Sequence, residues 1–144
     1  MRKLLWVLFL GLPSLAHAEM RVENAWARAS TGPNAALFMT LVNTSATPNA
    51  LVQAQAEGCQ HTELHNHIET QGIFRMVEVK TIEVPSTDKK ELKPGGYHVM
   101  LMKLHHPLQK GDTVPLKLTF QDNQTLSVQV PVKIETSLCC CNNT

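Results

Sequence analysis

Apolar and β-branched positions in this 144-residue chain gather in short runs separated by Gly, Pro, Asn, Asp and Ser. That punctuation predicts strands over 21–28, 35–43, 50–56, 62–68, 73–80, 96–104, 113–120 and 125–134. The breakers between them are Thr31-Gly32-Pro33-Asn34, Asn43-Thr44-Ser45, Lys93-Pro94-Gly95-Gly96, Gly111-Asp112 and Asp122-Asn123. No stretch carries a convincing 3.6-residue period. Many short strands at this spacing imply an all-β sandwich or barrel. There is no internal repeat and no linker long enough to split the unit, and after Glu135 the pattern stops, which predicts a loose tail.

Alternation assigns faces. Over 96–104, Tyr97, Val99 and Leu101 share one face and read as core. His98, Met100 and Met102 share the other, within about 14 Å of one another. Segments 62–68 and 73–80 read as a hairpin turning over Glu69-Thr70-Gln71-Gly72. A turn centred between Thr70 and Gln71 sets His65 opposite Met76, with Cβ atoms about 5 Å apart. A bulge at Gly72 would shift that register.

These faces carry the candidate chemistry. Imidazole and thioether are soft, neutral donors of the kind that suits Cu(I). His65, Met76, His98 and Met100 follow one another as His, ten residues, Met, twenty-one residues, His, one residue, Met. Met102 can stand in for a neighbouring thioether. Each donor has a plainer reading, since Met is usually a flexible core filler and a lone His a hydrogen-bonded or surface residue. The joint arrangement weighs against it, because a separate apolar face already supplies the core.

The first residues predict export. Arg2 and Lys3 precede the apolar run 4–15, and Ala16-His17-Ala18 is a small-x-small cleavage site. The run is short for a bilayer span and no second long one follows, so stable membrane insertion is not expected. No Cys stands at the cleavage point, which argues against a lipid anchor. The expected organisation is a signal peptide over 1–18, a β-domain over 19–136 and a Cys-containing tail over 137–144, in a periplasmic protein. Without Arg2 and Lys3 the chain holds 11 basic and 12 acidic side chains, a balance of −1 with His neutral. Neither a basic stripe nor a cationic amphipathic helix is present, so nucleic acid and membrane surfaces are not expected partners.

Several segments together resemble one family. Ala25-Trp26-Ala27-Arg28, Asn34-Ala35-Ala36, Thr40-Leu41-Val42-Asn43, Glu63-Leu64-His65, residues 72–76, Ile82-Glu83-Val84-Pro85, Leu92-Lys93-Pro94-Gly95-Gly96-Tyr97-His98-Val99-Met100-Leu101, Pro107-Leu108, Gly111-Asp112 and Leu116-Lys117-Leu118-Thr119-Phe120 resemble the periplasmic copper chaperones called PCuAC. The family's His-x10-Met-x21-His-x-Met motif falls on His65, Met76, His98 and Met100. The resemblance implies a cupredoxin-like Greek-key β-sandwich that carries one Cu(I) near its surface. It also implies delivery to the copper-bearing subunit of cytochrome c oxidase, often beside a Sco-type thioredoxin-fold chaperone, with no catalysis.

The chain departs from that family at its end. Members commonly finish in a His- and Met-rich tail, whereas Cys139, Cys140 and Cys141 stand here. These thiols are candidates for auxiliary copper binding, or for oxidation, including a bridge to Cys59. His67 shares the face of His65 and is a candidate for Cu(II) or Zn(II), against the plainer reading of a solvated surface histidine. An electron-transfer cupredoxin would need a Cys ligand between the later strands, which is missing. A zinc enzyme would have to use His61, Glu63 and His65, and three residues on one strand face do not readily wrap an ion. A copper storage or resistance protein is the main alternative, with the same ligands and a different destination for the ion.

Overall fold

Ten β-strands and no helix make up residues 19–135, the part of the chain that this computed structural model describes. They are β1 (Met20–Arg28), β2 (Ala35–Asn43), β3 (Asn49–Ala56), β4 (Cys59–Thr70), β5 (Ile73–Glu78), β6 (Ile82–Val84), β7 (Asp88–Leu92), β8 (His98–Leu104), β9 (Thr113–Phe120) and β10 (Thr125–Lys133). All eight predicted strands are present. β4 runs longer than its predicted 62–68, and β8 starts two residues later than predicted, at His98 rather than Gly96.

Two strands carry too little apolar signal to be read from the sequence. β6 has three residues, of which Ile82 and Val84 are fully buried. β7 reads Asp-Lys-Lys-Glu-Leu, and only Leu92 points inward. It is held as an edge strand by its pairing with Met39–Asn43 of β2, from Met39↔Leu92 to Asn43↔Asp88.

The strands follow the order β5-β4-β8-β2-β1-β10-β9-β3-β6, with β7 beside β2. Antiparallel pairing governs every junction except β1–β10, which is parallel over Ala27↔Val132 and Arg28↔Lys133. That junction divides the path into two layers whose inward faces meet. One layer contributes Leu37, Leu41, Leu64, Val99 and Leu101, and the other Leu51, Leu116, Leu118, Phe120 and Val130. Each fully buried Leu, Val or Phe contributes about 1.5–3 kcal/mol of hydrophobic stabilisation. The Thr62 hydroxyl donates to the Ala54 carbonyl and ties β4 to β3. The result is the expected all-β, cupredoxin-like fold.

Strand β2 shares one of its edges between two partners. Its first half pairs with β8 (Ala35↔Leu101 to Leu37↔Val99) and its second half with β7. The chain between them, Lys93 to Tyr97, turns back through Gly95 at φ 82 and brings the Gly96 carbonyl beside β4. This geometry sets the entrance to β8, where His98 is the first strand residue.

Candidate metal centre

The outer face of β5-β4-β8 is a ladder of donor side chains. Residues paired directly across an antiparallel ladder share a face. His65 pairs with His98, Glu63 with Met100 and His61 with Met102 across β4–β8, while His67 pairs with Met76 and His65 with Glu78 across β4–β5. All four motif residues therefore lie on one face, as do Met102 and His67. The predicted alternation in β8 holds, with Val99 and Leu101 fully buried in the core on the opposite side.

The predicted register of the hairpin does not hold. Met76 faces His67, not His65, because the turn is the two-residue Gln71-Gly72 and not a wider one centred a residue earlier. Both turn residues have positive φ, 53° and 76°, the geometry that matches the twist of two tightly joined strands. Glycine accepts this without strain and glutamine tolerates it at a modest cost. A shift of two positions keeps Met76 on the same face. It also leaves the two motif thioethers on opposite sides of the His65–His98 pair, Met76 at the level of His67 and Met100 at the level of Glu63.

The imidazoles are more deeply set than a surface site suggests. His98 is 1% exposed. Its ring lies 5.7 Å from that of His65, 5.2 Å from that of His67 and 6.1 Å from Phe38, centre to centre. Phe38 stacks at 4.8 Å on Trp26, and the Arg28 guanidinium covers Phe38 at 5.2 Å. Arg28 is itself held by Glu135 at 2.6 Å. These covering residues come from β1 and β2; the sequence offered Trp26 and Arg28 only as part of a family pattern.

Hydrogen bonds choose which nitrogen of each ring is free. Nδ1–H of His98 donates to the Gly96 carbonyl at 3.0 Å, leaving the Nε2 lone pair buried and unpartnered. Nε2–H of His65 donates to Glu63 at 2.7 Å, leaving Nδ1 buried and unpartnered. The second Glu63 oxygen takes a hydrogen bond from His61 at 3.1 Å. His67 also buries an unpartnered Nδ1, which replaces the expectation of a solvated surface histidine. Buried polar atoms without partners are rare in folded proteins, and a missing ion is one of their recognised explanations.

The electrostatics agree with this arrangement. Burial holds His98 below its ordinary 6.5, against the Gly96 hydrogen bond that raises it, and the positive charges of His67, His65 and Arg28 add to the lowering. The hydrogen bond from His65 holds the Glu63 carboxyl below its usual range, and His61 acts in the same direction. A neutral His98 and an ionised Glu63 are the forms needed for a metal donor and for its support. Among the described residues no three His, Cys, Asp or Glu side chains converge to hold an ion. The further donor side chains on this face are the thioethers of Met76, Met100 and Met102. Such a neutral N and S set fits a soft, monovalent ion better than Zn(II) or Ca(II). Cys139, Cys140 and Cys141 lie outside the described residues, and Cys59 carries a free thiol with its pKa raised by burial.

Comparison with known proteins places the chain. The family model described as "Putative lipoprotein LpqE-like" matches residues 20–132. The chain belongs to the LpqE-like family. A curated relative, "Putative lipoprotein Lxx21020" of Leifsonia xyli subsp. xyli, is 33% identical over 115 residues, which cover 79% of this chain and 69% of the relative. Among solved structures, the solution structure of CuI-DR1885 from Deinococcus radiodurans is 32% identical, with a TM-score of 0.60 over 84% of this chain and 83% of that one. The copper-bound PCuAC domain from PmoF2 shares the fold at a TM-score of 0.67, with 20% identity over 80% of this chain and 92% of that domain. The resemblance to PCuAC domains thus holds for this member of the LpqE-like family.

Proposed function

We propose that this protein is an exported carrier of Cu(I) that uses His65, Met76, His98 and Met100 as its donor set. One observation carries the reading. Two imidazoles face each other with their free nitrogens buried and unpartnered, and motif thioethers flank them on the same sheet face. The Cu(I) complex of the Deinococcus relative supports the choice of ion. His65 and His98 anchor the ion as nitrogen donors, and Met76 and Met100 favour its reduced state. Because every donor is neutral, the ion leaves when a partner's ligands replace them one at a time, with no charge left behind in the site.

The acceptors that fit this chemistry are the copper-bearing subunit of cytochrome c oxidase and a Sco-type thioredoxin-fold chaperone. Compartment and destination belong to the same proposal: export through residues 1–18 to the periplasm, and carriage without catalysis. Replacing Met76 and Met100 together with Leu nearly conserves side-chain volume and keeps the fold. An anaerobic competition against a Cu(I) chelator should show the double variant losing most of its affinity. Unchanged affinity would remove these residues from the site.

A further inference from the structure

The motif accounts for two imidazoles, and the structure contains a third in the same cluster. The His67 ring is nearer to His98 than the His65 ring is, 5.2 Å against 5.7 Å. Its Nδ1 is buried without a partner, as is that of His65. Met76 sits directly across from it. The Gly96 carbonyl accepts both the His67 backbone N–H at 3.3 Å and His98 Nδ1–H at 3.0 Å, which couples the position of one residue to the ring of the other.

The thioethers divide in the same way. Met76 and Met100 are four residues apart in level, about 13 Å along the strands, and lie on strands about 10 Å apart. A methionine sulfur is only three bonds from its Cα, so the pair is spread across the imidazole cluster rather than closed around one point. No three of the His, Cys, Asp and Glu side chains described converge on an ion either. His98 is the common member of both imidazole pairs.

We propose that His67 is a further copper donor, and that it forms with His98 and Met76 an outer position for the ion beside an inner one at His65, His98 and Met100. The inference rests on the reading of this face as a copper site and specifies how that site is used. The ion keeps His98 and exchanges His65 and Met100 for His67 and Met76, one neutral nitrogen and one neutral sulfur for another. Charge and oxidation state do not change. The outer position lies at the rim of the molecule, where Met76 is 47% exposed and its neighbour Phe74 70% exposed. A partner's ligands would reach the ion there first.

Ring ¹⁵N NMR of the full protein with one equivalent of Cu(I), under reducing conditions, tests this without any substitution. The His67 Nδ1 resonance should move along with those of His65 Nδ1 and His98 Nε2. A His67 ring that stays unmoved while the other two shift overturns the outer position and leaves the main site standing. No shift at any of the three removes the copper reading itself. Chelator competition gives a second measure. His65→Ala and His67→Ala should each lower affinity by less than about tenfold, because the other ring still partners His98, and the double variant should lose more than the product of the two. A double variant no weaker than His65→Ala alone overturns the proposal.

Discussion

At the scale of single residues, the centre depends on which ring nitrogens are already engaged. A carboxylate behind a metal-binding histidine fixes its tautomer and raises its basicity, and losing such a partner typically costs 10–100-fold in metal affinity. Glu63 has that place behind His65, at 2.7 Å. Glu63 acts through His65, and His67 offers His98 a second ring, so Glu63→Gln should weaken Cu(I) binding by less than about tenfold while the melting temperature stays nearly constant, since the side chain is partly exposed. A chelator competition with a parallel melting curve measures both. The sequence pattern made Glu63 a weak candidate for a zinc ligand; its place behind His65 follows only from the hydrogen bond. His98 gives a second residue-scale test. Burial lowers its pKa below 6.5, so between 6.5 and the folded value the unfolded chain takes up a proton that the folded chain does not. Stability of the copper-free protein should fall as pH drops through that window and be fully retained above it. Proton competition for the ion at His98 should likewise begin only below about 6.5. An NMR titration that finds His98 protonating at or above 6.5 would contradict the buried, neutral ring.

At the scale of elements, the β4–β5 hairpin carries the largest consequence for the site. Its turn places Met76, and a Cβ at Gly72 meets nothing within 4 Å, so substitution there acts through backbone conformation alone. With φ at +76°, Gly72→Val forces a β-branched residue into the left-handed region and should destabilise the hairpin by about 1–2 kcal/mol. Copper affinity should fall with it, while the core strands keep their hydrogen-exchange protection. Loss of protection throughout the sandwich would show instead that the hairpin is part of the global folding unit. The same hairpin marks the limit of what the sequence reveals. Alternation alone put His98, Met100 and Met102 on one face, because a period of two survives any even shift in register. It could not tell a two-residue turn from a wider one, so the partner of Met76 was legible as a face and not as a residue. β6 and β7 were illegible for another reason. A three-residue strand and a charged edge strand lack the apolar run that the eye follows, and they exist because β3 and β2 offer them open edges. The meeting of β4 with β8, which brings His65 against His98, joins segments more than thirty residues apart and left no local trace in the sequence.

At the scale of the molecule, the candidate donors lie on the sheet face opposite the core, and the core owes nothing to a metal. The inward faces are apolar and closed, with Leu37, Leu51, Val99, Leu101 and Phe120 fully buried. Copper removal should therefore leave the far-ultraviolet spectrum unchanged and lower the melting temperature only by the binding contribution, RT ln(1 + [L]/Kd). A destination for the ion separates carriage from storage, two roles that share every ligand. A carrier that exchanges ligands at an exposed rim passes its ion within a complex, so the rate of transfer rises with acceptor concentration. A store releases the ion to solvent first, and transfer then runs at the dissociation rate whatever the acceptor concentration. Mixing the copper-loaded protein with the apo copper-centre domain of oxidase subunit II, or with a Sco-type helper, distinguishes the two. Transfer should exceed the independently measured dissociation rate and grow with acceptor until it saturates. A rate that stays at the dissociation limit assigns the protein to storage, because the exposed position of Met76 would then serve no exchange.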